Sequence, residues 1–84
     1  MNAFAAFNEK VFTEGALPVK MKELMAVCAA HLTRCPYCIS GHVKKAKAAG
    51  ATEQEIAEAI MVAVALNAGA SLAHSSIAIK SCEE

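Results

Sequence analysis

From Ala59 to Ile79 the chain carries no aspartate, glutamate, lysine or arginine. A run of this length has to be hidden in a core, in a subunit contact or in lipid, and each option restricts the fold. The whole chain has 84 residues, of which 56% are apolar, against about 45–50% in ordinary globular chains. A domain this small buries only about 60% of its unfolded surface when it folds alone. The apolar surplus therefore predicts a homo-oligomer, whose subunits complete one another's cores. Asn67, Gly69, Ser71, His74, Ser75 and Ser76 interrupt the uncharged run, and its wholly apolar part, Ala59 to Leu66, is too short to span a bilayer. An interior or interface helix pair is expected rather than a membrane span. No positively charged leader precedes an apolar stretch, so the expected location is cytoplasmic.

The periodicity is helical throughout. Phe4, Phe7 and Val11 recur at helical spacing and the pattern ends at Gly15. Pro18 suits the start of a second helix, in which Met21, Leu24, Met25, Cys28 and Leu32 form an apolar stripe that stops before Pro36. Pro36 opens a third helix with Cys35 near its N-cap, and Gly50 stops it. Thr52-Glu53-Gln54-Glu55 has capping-box spacing, and Ile56, Ala59, Ile60, Ala63 and Leu66 follow on one face. Asn67 and Gly69 predict a break before a last helix from about Ser71 to Lys80, although a kinked continuous helix is also allowed. No β-alternation, linker or repeat is present. The expectation is a single all-α domain over 1–84 with about five helices, completed by oligomerisation.

Basic and acidic residues number eight each, so no net field attracts nucleic acid or an anionic membrane. Lys44, Lys45 and Lys47 read as a solvated helix face. Tryptophan is absent, and Phe4, Phe7, Phe12 and Tyr37 do not alternate with basic residues as a base-stacking surface would require. Four cysteines in a reducing compartment point to metal or redox chemistry rather than a disulfide framework. Cys28 lies in an apolar run and reads as a core residue, and Cys82 as exposed and incidental.

The chemistry concentrates in Cys35-Pro36-Tyr37-Cys38 followed by His42. At a helix start, two cysteines three residues apart share a face and can close a disulfide with little backbone change. The positive helix terminus favours thiolate there. His42 lies one turn after Cys38 on the same face, so it can take the Cys38 proton or stabilise its thiolate, while Cys35 is two turns away. This spacing favours Cys38 as the attacking sulfur and Cys35 as the one that resolves a sulfenic acid into a disulfide. Glu23 could set the His42 tautomer if the second helix folds back beside the third. Equally, it could be an ordinary first-turn glutamate favoured by the helix dipole. Two thiolates and an imidazole are also good zinc ligands, with His31, His74, Cys28 or Cys82 as the fourth. His31 and His74 otherwise read as satisfied helix histidines.

Glu23, Cys35-Pro36-Tyr37-Cys38, His42, Gly50 and Thr52-Glu53-Gln54-Glu55-Ile56 together closely resemble the core of the alkylhydroperoxidase AhpD-like proteins of the carboxymuconolactone decarboxylase superfamily. The likeness runs from about Lys20 to Leu66. It implies an all-helical fold assembled into trimers or hexamers, with no metal or organic cofactor. It also implies a thiol-dependent hydroperoxide reductase in which Cys38 attacks peroxide, Cys35 resolves, and Glu23 and His42 relay protons. Dihydrolipoamide on a lipoylated protein, or a peroxiredoxin, is the implied redox partner. Pro36 and Tyr37 leave no extra relay histidine between the cysteines. Any pocket that longer members build from additional helices must be made here by subunit packing or be missing. The alternatives are a non-catalytic thiol sensor and a zinc-binding module. The decarboxylase branch, which acts on a lactone acid without a cysteine pair, is disfavoured by Cys35 and Cys38, and Arg34 is the only arginine available for a substrate carboxylate.

Overall fold

A computed structural model describes residues 2–84, and among these every regular element is helical. There are four helices rather than about five: α1 (Ala3–Val11), α2 (Val19–Thr33), α3 (Pro36–Ala48) and α4 (Glu53–Ser81). The expected break at Asn67 and Gly69 does not occur. A helical glycine costs only about 1 kcal/mol, and an established helix propagates through it. Serine hydroxyls do not interrupt α4 either: Ser75 Oγ donates to the Leu72 carbonyl at 2.6 Å, and Ser81 Oγ, at the last residue of the helix, to that of Ile77 at 2.9 Å. These hydroxyls bond back within the helix and leave its ladder intact.

The helix ends follow the local chemistry. Pro18 is the N-cap of α2. Arg34 ends the same helix in the left-handed region, φ 57° and ψ 49°, where its N–H reaches the Ala30 carbonyl. The Cys35 N–H donates to that carbonyl as well, at 3.1 Å. This single reversal makes Cys35 the N-cap of α3, with Pro36 in its first turn. Gly50, at φ 97°, supplies the left-handed turn after α3, a conformation that a glycine adopts without steric cost.

The helices α2 and α3 form a hairpin, with α4 packed on α2. Val27 and Ala46 are fully buried and join Ala51 and Ile56 in the core, edged by Leu24, Val43 and Ile60. The inward face of α2 is Glu23, Val27 and Ala30, at helical spacing. Apart from Leu24, which also edges the core, the predicted stripe faces elsewhere. Met21, Leu24, Met25, Cys28 and Leu32 line an open apolar groove of about 520 Å³ against Ala59 and Val62 of α4. Met25 remains 53% exposed and Cys28 is only partly covered, which corrects the reading of Cys28 as core. The apolar surplus gives α2 two apolar sides, and periodicity alone could not tell which one faces inward.

The second half of α4 stands away from this body. From Val64 onward only Asn67 is even partly covered, and Leu72, Ile77 and Ile79 lie in the open. The radius of gyration is 16.5 Å, whereas a compact chain of this length would have about 12 Å. By length and composition α4 could cross a membrane, but its first half packs on the body through Ile56 and Ala63.

A capping box opens α4. Thr52 Oγ1 accepts from the Glu55 N–H at 3.1 Å, and Glu55 Oε1 accepts from the Thr52 N–H at 2.9 Å. Lys20 of α2 donates to Glu55 Oε2 at 3.0 Å. The Thr52 backbone bond, then the Lys20 contact, holds the Glu55 carboxyl below its ordinary range. A carboxylate whose folded-state value is depressed stabilises the fold above the ordinary glutamate range, and that contribution is lost as pH falls through the folded value. Glu55→Gln should therefore lower the urea midpoint at neutral pH, with the gap from the parent closing in acid. A gap that persists unchanged in acid would assign the effect to something other than the charge.

Candidate active site

The hairpin between α2 and α3 carries the four residues expected to act together, in two contacting pairs, Cys35 with Cys38 and Glu23 with His42. Cys35 and Cys38 are joined as a disulfide, with Cα atoms 5.2 Å apart. This spacing lies within the usual range for bridged cysteines. Cys35 Sγ accepts the Cys38 N–H at 3.2 Å, so the sulfur itself caps α3. The positive end of the helix acts on this sulfur, as expected from Cys35 standing near the N-cap, and the direct bond singles it out from Cys38. The stabilisation available to the two sulfurs thus differs, with the backbone serving Cys35 and His42 standing one turn beyond Cys38.

His42 continues the face of α3 that begins at Cys38 and ends at the fully buried Ala46, at intervals of four residues. Its Nδ1–H donates to Glu23 Oε1 at 2.6 Å. An ionised carboxylate can only accept, so the proton is assigned to Nδ1 and the Nε2 lone pair is left to receive another. Glu23 is only 3% exposed. It stands beyond the first turn of α2, on the inward stripe with Val27, and this placement and burial set aside the alternative of an ordinary first-turn glutamate. A buried carboxylate that holds a histidine fixes the tautomer and the direction of the ring.

Phe12 completes the surroundings of His42. Its ring stacks on the imidazole with centroids 5.0 Å apart and planes 28° apart. Sequence reasoning missed this residue; the available signal was that Phe12 falls off the Phe4–Phe7–Val11 stripe, immediately before the turn at Gly15. Beside it, Asn8, Glu9, Phe12, Glu23 and Lys45 border a cleft of about 590 Å³ roofed by α1.

The other candidates lie apart from this group. His31 Nδ1–H donates to the Val27 carbonyl at 2.8 Å, a satisfied helix histidine as expected. His74 sits on the exposed half of α4, and Cys82 is exposed near its end. Among the described residues, no three histidine, cysteine, aspartate or glutamate side chains converge as a metal-ligating group. The two sulfurs bond each other, and the His42 Nδ1 is engaged by Glu23. Arg34 is exposed and serves the turn between α2 and α3.

An all-α hairpin carrying a paired dithiol beside a carboxylate-held histidine defines the class, and comparison with known proteins places it. The chain belongs to the carboxymuconolactone decarboxylase family, whose model matches residues 1–81. This family includes enzymes and alkylhydroperoxidase-like members. The chain is 48% identical over 83 residues to the "Uncharacterized protein 4 in cox locus" of Paracoccus denitrificans, covering 99% of this chain and 75% of that protein. An uncharacterized protein of Cupriavidus necator is 29% identical over 79 residues, covering 94% of this chain and 70% of its own length. A crystal structure of a protein from Methanobacterium thermoautotrophicum has a TM-score of 0.82 at 37% identity, covering 89% of this chain and 84% of that one.

Proposed function

We propose that the protein is a thiol-dependent hydroperoxide reductase. The observation that carries this reading is the Cys35–Cys38 pair at the start of the helix whose next turn bears His42, itself held by the buried Glu23. In the reduced form His42 Nε2 takes the Cys38 proton, and the thiolate attacks the terminal peroxide oxygen. The O–O bond breaks, Cys38 becomes a sulfenic acid, and the alkoxide leaves as alcohol after gaining a proton. The Cys35 thiol then displaces water from the sulfenic acid and forms the disulfide. A dithiol donor returns both cysteines to thiols as it becomes a disulfide, and the Cys35 sulfur, stabilised at the N-cap, is a good leaving group in that exchange.

The donor proposed is a dihydrolipoyl group on a protein, with a peroxiredoxin as a further partner for the dithiol. Consumption of tert-butyl or cumene hydroperoxide with dihydrolipoamide, followed beside zinc analysis of protein purified without chelator, tests the reading. Turnover by zinc-free protein supports it. Stoichiometric zinc held by Cys35, Cys38 and His42, or peroxide loss no faster than with the donor alone, would defeat it.

Self-association belongs to the same proposal. The uncovered half of α4 and the α2–α4 groove are both apolar, and a second copy supplies two such surfaces at once. Leu72→Glu with Ile77→Lys should convert an oligomer into a less stable monomer, measured by sedimentation and thermal unfolding. A parent protein that sediments as a monomer, or that floats with lipid vesicles, would contradict it.

A further inference from the structure

The attachment of α1 to the rest of the molecule is unusual. None of its residues is buried, and Phe4 and Phe7 are largely exposed. Burial in a shared core therefore does not hold this helix. Polar contacts pin its C-terminal end instead. Lys22 of α2 donates to the Val11 carbonyl at 2.9 Å and to the Thr13 carbonyl at 2.8 Å, the two carbonyls on either side of Phe12. Below the turn, Glu14 Oε1 accepts the Val19 N–H at 3.2 Å. A cation on the unpaired carbonyls of a helix C-terminus satisfies them and complements the helix dipole.

Lys22 immediately precedes Glu23. Successive residues of a helix point in different directions, and here one grips the backbone around Phe12 while the next holds His42 Nδ1. The same turn of α2 thereby fixes two constraints on the imidazole: the hydrogen bond in its plane and the ring stacked on its face. A hydrogen bond alone leaves the ring free to rock about the Nδ1···O line. A stacked aromatic removes that freedom and screens one face of the bond from water.

We propose that Phe12 is a positioning residue for His42, and that Lys22 holds it in place by clamping the end of α1. This rests on the peroxidase reading for its consequence in turnover, but not for its consequence at His42. Phe12 touches neither sulfur nor substrate in this account and acts only through the imidazole. Lys22 acts one step further back.

The test uses the full chain with Phe12→Leu, Lys22→Met and Lys22→Arg. The first reading is the NMR signal of the His42 Nδ1–H and its exchange with solvent, which needs no turnover. The second is kcat with cumene hydroperoxide and dihydrolipoamide. Phe12→Leu and Lys22→Met should each speed exchange of that proton by about tenfold and lower kcat by about tenfold, as a small misplacement of a base does. Lys22→Arg, which can still donate to both carbonyls, should restore both. Should Lys22→Met leave the His42 signal and kcat at parental values, the clamp is overturned, whatever happens to melting temperature. Unchanged exchange in Phe12→Leu overturns the role of the ring. If the parent protein turns over no peroxide but its His42 signal responds as described, the positioning stands and the peroxidase reading falls.

Discussion

Replacement of Cys38 by serine should reduce dithiol-dependent peroxide consumption to background, a loss on the order of a thousandfold or more. The size follows from its role, because a serine oxygen forms no sulfenic acid with peroxide, and Cys35 alone has no partner thiol with which to close the disulfide that the donor reduces. Cys35→Ser should behave differently. Its first turnover proceeds and then stops, leaving a sulfenic acid on Cys38 that a sulfenate-trapping reagent records by mass spectrometry. The N-cap bond from the Cys38 N–H to Cys35 Sγ sharpens this comparison, since it favours thiolate at the other sulfur. A sulfenate trapped on Cys35 in Cys38→Ser, with none on Cys38 in Cys35→Ser, would show that the helix terminus outweighs the histidine and would reverse the order.

Substitution of Glu23 has the second large effect. Glu23→Leu removes the acceptor of the His42 Nδ1–H inside a covered hairpin. Leaving a buried donor unpaired costs about 1–3 kcal/mol, and loss of the tautomer and of the ring direction should lower turnover by about a thousandfold. Glu23→Gln keeps an oxygen that can accept but has no charge, so its turnover should fall less, by about tenfold to a hundredfold, with a smaller loss of stability. Urea unfolding and steady-state turnover of both variants check this. In combination with His42→Ala, Glu23→Leu should cost little more activity than His42→Ala alone, because the two residues act as a unit. Additive losses would mean that Glu23 acts independently of His42.

Much of this site was legible before the fold. Cysteine spacing, Pro36 after an N-cap position and His42 four residues beyond Cys38 are all local, and local helix geometry is what the dithiol uses. The capping box of Thr52 and Glu55 and the left-handed Gly50 were legible for the same reason. Glu23 was half legible. Its interval to Val27 and Ala30 marks the inward stripe, but the more prominent run of Met21, Leu24, Met25, Cys28 and Leu32 suggested another face, and both faces are apolar. Phe12 and Lys22 were not legible, because their meeting across the turn at Gly15 depends on tertiary placement. Of the two readings at Asn67 and Gly69, a break or a continuous helix, the continuous helix is found, because a helix tolerates one glycine and a back-bonded serine. The same continuity leaves the apolar second half of α4 bare, with Leu72, Ile77 and Ile79 exposed.

The most direct measurement is a single turnover. Fully reduced protein is mixed rapidly with one equivalent of cumene hydroperoxide, quenched with an alkylating reagent and examined by peptide mass spectrometry, with the alcohol product quantified. One alcohol should form for each Cys35–Cys38 disulfide, at a rate well above that of peroxide with a free dithiol, while Cys28 and Cys82 are alkylated as thiols. Retention of both Cys35 and Cys38 as thiols while peroxide persists, or oxidation spread evenly over all four cysteines, would contradict the peroxidase reading.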